Sequence, residues 1–223
     1  IVTGVWPPKH GVLDNAFEGA RFGEYPDFLT RAKQARPELA TSAFFSWAAL
    51  DEHGAFGLAI DTRFVLDGYA ITFTTADRQL AAAAESHLAL SDPDLMFVYL
   101  GDTDEVAHDK GPLCAEYGDA LHAQDGYLGR LLEAIRGRDG YPDERWTVLV
   151  TTDHGHVDAG GHGGVSAEER TVFVIAARLE EDLGGRVLDE ARLVDVGPTA
   201  LAALGIATDP GWELDGEPLF ITR

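Results

Sequence analysis

Apolar runs alternate with helical patterns along most of the chain. Residues 94–101 and 146–151 are continuous apolar runs without polar alternation, which is typical of strands covered on both faces of a parallel sheet. Between them, the apolar positions of residues 115–136 recur at near-helical spacing and predict a long helix. Strands that alternate with such helices indicate βαβ crossovers. The pattern therefore predicts an α/β fold with a mostly parallel central sheet sandwiched between helices.

Shorter patterns predict the remaining elements. We expect helices over residues 25–35 and 77–90, and strands over residues 42–47 and 171–176. Residues 63–74 are rich in β-branched and aromatic residues and are interrupted by Asp67-Gly68, so we expect a β-hairpin there. The chain shows no internal repeat and no clear linker, so we predict that residues 1–223 form a single domain.

The charge balance excludes one large class of function. The 223 residues include 17 Lys and Arg against 38 Asp and Glu, for a formal net charge of −21. Because nucleic-acid backbones are held by clustered basic residues, so acidic a chain is not a general nucleic-acid binder. No stretch approaches the roughly 18 apolar residues that span a bilayer, so we expect no membrane segment.

Compartment and assembly are left open by the sequence. Cys114 is the single cysteine, so no intrachain disulfide is possible, and both an extracellular and a cytoplasmic location remain open. The chain begins at Ile1, and we expect the native N-terminus to lie further upstream. No pattern bears on the oligomeric state.

Polar side chains follow both continuous apolar runs. Asp104 and His108 come after the first, and Asp153, His154 and His162 come after the second. In open α/β sheets, loops at the carboxyl ends of the strands converge on the functional site. Carboxylate oxygens and imidazole nitrogens without thiolates are the donor set of catalytic zinc or manganese sites. We therefore predict that these five residues bind metal.

The sequence disfavours two other binding functions and leaves the roles of the remaining histidines less defined. A calcium loop starting at Asp102 is excluded, because Val106 and Ala107 stand where an oxygen ligand and a glycine are required. Dinucleotide binding is disfavoured, because no Gly-x-Gly-x-x-Gly loop follows a strand. Three roles remain open for His156: a partner of a metal ligand, a contact to substrate, or a surface position. The other histidines are expected to be ordinary turn, cap or surface residues: His10, His53, His87 and His122.

Four motifs in order resemble the type I phosphodiesterase/nucleotide pyrophosphatase family of the alkaline phosphatase superfamily. They are VTGVWPPKHGVLDN, GDTDEVAHDKGP, TTDHGHVDAGGHGG, and the tail DVGPTALAALGI followed by DGEPL. The resemblance implies an alkaline-phosphatase-like sheet with two divalent metals, usually zinc, at the strand ends. The tail is similar to the closing helix and hairpin of the superfamily.

The resemblance also implies roles for individual residues. Asp104, His108 and His162 would bind one metal, while Asp153 and His154 would bind the other. Asn15 would hold a phosphoryl oxygen opposite the metals; the alternative is an ordinary turn residue. In relatives, the hydroxyl nucleophile and one further Asp ligand are encoded upstream of Ile1. We therefore expect this chain to lack the first strand and the nucleophile segment, to take metal at the three-ligand site, and to show little turnover alone.

The implied activity is metal-dependent hydrolysis of a small-molecule phosphate ester at a phosphodiester or pyrophosphate bond, with a Thr or Ser nucleophile. Alternatives are a sulfatase-like, phosphonate-hydrolysing or phosphomonoester-hydrolysing enzyme, or a non-catalytic metal-binding domain. Two departures from the family pattern are visible. Ala107 replaces a common glycine, and the short interval between Asp153 and His162 has no room for the large insertion of eukaryotic relatives. Substrate preference therefore does not carry over from those relatives.

Overall fold

Strand β1 (Thr41–Phe45) lies at the centre of a parallel sheet. It pairs on one side with β2 (Thr62–Val65) and on the other with β3 (Leu95–Tyr99), so the strand order is β2-β1-β3. Every residue of β1 is buried, as its TSAFF sequence allows. The structure is a computed structural model that describes residues 1–181, 185, 187–188 and 190–219.

Helices cover both faces of this sheet. On one face, α2 (Phe28–Ala35) and α9 (Val196–Ala203) pack with Phe45 in one hydrophobic cluster. On the other, α5 (Phe73–Leu90) and α7 (Ala115–Arg136) pack with Phe44 in a second cluster. Because neighbouring strand residues point to opposite faces, Phe44 and Phe45 serve different cores. The predicted α/β fold with a sheet between helices is confirmed. That residues 1–223 form a single domain stays a prediction.

The other helices connect these layers. They are α1 (Pro7–His10), α3 (Ala49–Glu52), α4 (Gly68–Ile71), α6 (Asp102–Lys110) and α8 (Ala167–Arg170), with 3-10 turns at Tyr141–Asp143, Leu193–Asp195 and Pro210–Trp212. Within the described ranges, no helix combines the length and the apolar character needed to cross a bilayer.

The second half of the chain departs from the expected parallel arrangement. Strand β4 (Thr147–Thr151) pairs antiparallel with β5 (Val174–Arg178), which begins three residues later than the predicted strand at Thr171. The residues between them form a glycine-rich loop and the short helix α8, and they return the chain to the same end of β4. No crossover passes over the sheet, so the pair must be antiparallel.

Strands β3 and β4 are less buried than their apolar runs predict. All residues of both strands are partly exposed, although side chains of β3 reach the clusters on both faces and Leu149 of β4 reaches the cluster that contains Phe45. Among the described residues, each of the two strands pairs with one neighbour only. One edge of each strand therefore keeps some exposure.

The predicted hairpin over residues 63–74 is wrong. Strand β2 ends at Val65, and Asp67 caps α4 by accepting a hydrogen bond from Tyr69 N at 3.0 Å. Gly68 N donates to Ser46 O at 2.9 Å, and a Cβ on Gly68 would overlap the ring of Phe73. The Asp-Gly pair thus forms the start of helix α4 instead of a hairpin turn. Helix α5 begins at Phe73 rather than at the predicted Asp77.

The closing segment is confirmed in its helix but not in its hairpin. Helix α9 falls inside the expected residues 195–206. Residues 215–219 contain no strand; instead, Asp215 N and Gly216 N both donate to Gly4 O. Any further part of the expected hairpin lies in residues 220–223, outside the described residues. The contact to Gly4 ties the closing segment to the opening one.

Candidate metal centre

Helix α6 starts directly after β3 and is held by a buried carboxylate from α5. Asp77 accepts hydrogen bonds from Gly101 N at 3.0 Å and Asp102 N at 2.9 Å, and from Gln124 Nε2 at 3.2 Å. Burial raises the pKa of Asp77, and these donors oppose that shift. Thr74 Oγ1 donates to Asp102 Oδ1 at 2.8 Å. The start of α6 is thereby fixed against the end of β3.

Helix α6 presents two of the predicted ligands on one face. Asp104 and His108 are four residues apart, so their side chains lie one helical turn from each other. The distance from His108 Nε2 to Asp104 Oδ1 is 3.6 Å. Both residues lie in the nine-residue helix, so the backbone holds them at this spacing.

The loop after β4 is packed against α6 through a glycine. Gly160 has φ +95°, and a Cβ at this position would overlap the carbonyl oxygen of Ala107 in α6. Within the loop, Gly160 N donates to Val157 O at 2.8 Å and Val157 N donates to Gly161 O at 3.0 Å. The close approach that only glycine permits brings the histidines of this loop to α6.

Four imidazoles surround one carboxylate oxygen. Measured to Asp104 Oδ1, the Nε2 atom of His156 lies at 2.9 Å, that of His108 at 3.6 Å, that of His162 at 3.7 Å and that of His154 at 3.8 Å. We call these five residues the Asp104 cluster. Its members come from helix α6, which follows β3, and from the loop that follows β4.

The Asp104 cluster has the properties of a cation site. Asp104 Oδ1 is buried and accepts no hydrogen bond from any residue that the structure describes. A buried carboxylate oxygen without a partner is costly, and a cation removes that cost. Donor atoms of Asp104, His154 and His162 all lie within 4.8 Å of one another. Oxygen and imidazole donors without sulfur suit zinc or manganese.

Asp153 joins the cluster through His154. The distance from His154 Nε2 to Asp153 Oδ2 is 3.6 Å, and half of the Asp153 side chain is exposed. Tyr99, at the end of β3, is partly buried. Burial, followed by the charges of Asp153 and Asp104, raises the pKa of Tyr99 well above its ordinary value. The Tyr99 hydroxyl therefore stays protonated beside the acidic residues.

The five residues predicted as metal ligands, Asp104, His108, Asp153, His154 and His162, come together in space. Their role as ligands stays a prediction, as does their division between two metals. The tightest donor group combines Asp104 and His162 with His154, which the resemblance assigns to the other metal. Asn15 is exposed in a turn where Ala16 N donates to Asp14 Oδ1 at 3.0 Å. Its contact to a phosphoryl oxygen stays a prediction.

His156 is the residue whose role the sequence left open. It lies closer to Asp104 Oδ1 than any of the predicted ligands do. One signal was present in the sequence: His156 follows His154 by two residues, and alternate residues of extended backbone point to the same side. The order of distances, however, depends on the packing of the loop on α6.

Fold and site together define an α/β protein with a cluster of Asp and His side chains at its strand ends that could hold a cation. The family model described as "Type I phosphodiesterase / nucleotide pyrophosphatase" matches residues 1–175. The chain belongs to this family. The match supports phosphoryl-transfer chemistry as the broad type of reaction.

Several relatives and a solved structure are similar to parts of this chain. A 2,3-bisphosphoglycerate-independent phosphoglycerate mutase of Natronomonas pharaonis is 31% identical over 132 residues, which is 57% of this chain and 24% of the relative. GPI ethanolamine phosphate transferase 1 of Chaetomium globosum is 30% identical over 173 residues, 73% of this chain and 17% of the relative. The chain thus spans less than a quarter of the length of either relative. Murine ectonucleotide pyrophosphatase/phosphodiesterase 5, solved in an inactive form with AMP, is similar at a TM-score of 0.46 and 20% identity, over 69% of this chain and 43% of that one.

Proposed function

We propose that this protein is a metal-dependent hydrolase of small-molecule phosphate esters that cleaves phosphodiester or pyrophosphate bonds. One observation carries the proposal: a buried carboxylate oxygen, Asp104 Oδ1, is surrounded by four imidazole nitrogens, one from α6 and three from the loop after β4. The predicted ligands would hold two divalent cations, zinc or manganese: Asp104, His108, Asp153, His154 and His162. The bound cations would neutralise a non-bridging phosphoryl oxygen and favour the ionised form of a hydroxyl nucleophile.

The residues of the chain have three tasks in this proposal. The carboxylates of Asp104 and Asp153 supply the negative charge that retains the cations. The imidazole of His162 must be neutral to bind, and burial, with the neighbouring His154 charge next, lowers its pKa. Asn15 would donate to a phosphoryl oxygen from outside the cluster. The net charge of −21 does not oppose an anionic substrate, because divalent ions dominate the field at the site.

A second candidate is transfer of the phosphoryl group to an acceptor other than water. It is favoured by the names of two relatives, a phosphoglycerate mutase and an ethanolamine phosphate transferase. Both candidates use the same cation site and differ in the nucleophile that completes the reaction. The products of one assay therefore separate them.

The test is a substrate panel with the full-length gene product. Metal-free protein is reloaded with zinc or manganese and offered a phosphodiester, a phosphomonoester, a phosphonate ester and a sulfate ester of p-nitrophenol, with and without glycerol as acceptor. We expect metal-dependent release of p-nitrophenol, fastest from the diester. Glycerol phosphate among the products would favour transfer.

The Asp104→Asn variant is the negative control in this assay. We expect it to lose turnover, while Asp109→Asn, at an exposed position of the same helix, retains it. Fastest turnover of the sulfate ester would replace the proposal with a sulfatase. Metal binding without turnover of any ester would leave a non-catalytic metal-binding domain.

A further inference from the structure

His156 is the most enclosed histidine of the Asp104 cluster. Only 6% of its side chain is exposed, against 20% to 43% for the other three histidines. Its ring stands close to perpendicular to those of His108, His154 and His162, at interplanar angles of 84°, 72° and 84°. It is therefore a central member of the cluster rather than a surface residue.

The hydrogen bonding of His156 fixes which ring nitrogen carries the lone pair. Nδ1 lies 3.2 Å from the carbonyl oxygen of Gly160. A carbonyl oxygen can only accept, so Nδ1 carries the hydrogen and the neutral ring has its lone pair on Nε2. This Nε2 atom lies 2.9 Å from Asp104 Oδ1.

Two lone pairs that face each other at this distance repel unless a metal cation lies beside both or Nε2 carries a proton. Asp104 Oδ1 also lacks a hydrogen-bond donor among the described residues. Two neighbouring ligand atoms about 2.1 Å from one ion lie roughly 3.0 Å apart in octahedral and roughly 3.4 Å apart in tetrahedral coordination. The 2.9 Å between Nε2 and Oδ1 is close to the octahedral spacing.

His154 shows the same pattern as His156. Its Nδ1 lies 3.2 Å from the carbonyl oxygen of Gly155, which leaves Nε2 free to face the cluster. Histidines that bind a metal ordinarily donate their other ring N–H to a backbone carbonyl, a carboxylate or water, and this bond fixes the tautomer and the ring orientation. Both His154 and His156 are therefore oriented as ligands by carbonyl groups of their own loop.

We propose that His156 is a direct ligand, through Nε2, of the cation that Asp104 binds. The inference rests on the proposed function in requiring a cation at Asp104, and it adds a ligand to the set that the family resemblance implies. The competing arrangement is a protonated His156 that forms an ion pair with Asp104 and does not touch the cation. The two arrangements differ in what can replace the imidazole.

The experiment replaces His156 in two ways and measures metal binding rather than activity. His156→Gln keeps an N–H donor for Asp104 but offers a poor ligand. His156→Cys, made in a Cys114→Ser background so that no other thiol is present, offers a strong one. Ser at position 114 retains the cap of α7, where Cys114 Sγ now accepts from Tyr117 N. The control is His122→Gln, at an exposed position of α7.

We expect His156→Gln to bind zinc about 100-fold more weakly in competition with a chromophoric chelator, and His122→Gln to bind it as the parent does. We expect cobalt-loaded His156→Cys to show a thiolate-to-cobalt charge-transfer band in the near ultraviolet, which the Cys114→Ser parent lacks. Circular dichroism checks that each variant is folded.

The possible results distinguish a failure of His156 as a ligand from a failure of the metal centre as a whole. Parent-like zinc affinity in His156→Gln overturns the assignment of His156 as a ligand and leaves the metal centre in place. Cobalt binding by a folded His156→Cys variant without the charge-transfer band does the same. A parent protein that binds neither zinc nor cobalt overturns the metal centre itself, and this assignment with it.

Discussion

The imidazole rings of His154 and His162 stack with their centroids 3.7 Å apart and 16° between their planes. Two protonated rings at this distance would repel each other strongly. Burial, with the charge of His154 next, lowers the pKa of His162, so the His162 ring is neutral at neutral pH. A neutral imidazole beside a buried carboxylate is ready to bind a cation.

Asp104 should account for the stabilisation that metal gives to the fold. Zinc at about 100 times its dissociation constant stabilises a folded protein by roughly 2.7 kcal/mol. This stabilisation raises the melting temperature. We expect differential scanning calorimetry to show the rise on addition of zinc for the wild type and for Asp109→Asn, but not for Asp104→Asn. An unchanged rise in Asp104→Asn would mean that zinc binds elsewhere.

Gly160 should be required for the approach of the histidine loop to α6. Both Gly160 and Gly54 have positive φ, so an alanine at either position costs about 1 kcal/mol in backbone strain. Only at Gly160 would the new Cβ overlap a backbone oxygen, that of Ala107; near Gly54 the described residues leave open space. We expect Gly160→Ala to weaken zinc binding about tenfold and Gly54→Ala to leave it unchanged, as measured by chelator competition. Equal zinc affinities in the two variants would contradict this role.

Asp77 should hold the start of α6. Asp77→Ala leaves the buried amides of Gly101 and Asp102 without this acceptor. Each such loss costs about 1–3 kcal/mol, so we expect the free energy of unfolding to fall by about 3 kcal/mol in urea denaturation. Asp119→Ala, at an exposed position of α7, serves as the control. A loss below about 0.5 kcal/mol, the usual range for a surface change, would show that the end of β3 holds α6 without Asp77.

Asp61 should make stability depend on acid pH. Its carboxylate accepts from Thr41 N at 2.8 Å and Thr41 Oγ1 at 2.9 Å, and it pairs with Lys33 Nζ at 2.9 Å. The Thr41 amide first, and Lys33 next, lower the pKa of Asp61 below its ordinary value of 3.8. A carboxyl whose pKa is lower in the folded state stabilises the fold above its unfolded pKa, and this contribution is lost as pH falls through the folded value.

We therefore expect Asp61→Asn to be less stable than the wild type at pH 7. The difference should shrink as the pH falls below 3.8, where the wild-type carboxyl gains its proton. Urea denaturation at both ends of this range measures the difference, and Asp139→Asn, at an exposed position, controls for the loss of one charge. A difference that is constant with pH would show that the hydrogen bonds, and not the charge, carry the effect.

Elements with a strong local pattern were predictable from sequence. The long helix was placed at Ala115–Arg136 because its apolar residues recur at helical spacing, and the structure has the same bounds. The pair Asp67-Gly68 shows the opposite case. Its local preference for a hairpin turn was overridden because Gly68 packs against Phe73 and donates a hydrogen bond to Ser46 O, directly after β1.

The sequence by itself determined the chemistry at the strand ends. Carboxylates and imidazoles follow two apolar runs, and parallel α/β architecture brings such ends together. Only the tertiary structure decided which atoms meet. The 2.9 Å separation of His156 Nε2 from Asp104 Oδ1 depends on Gly160 lying against the Ala107 carbonyl. Such a contact between distant segments is set by packing, and no periodicity along the chain encodes it.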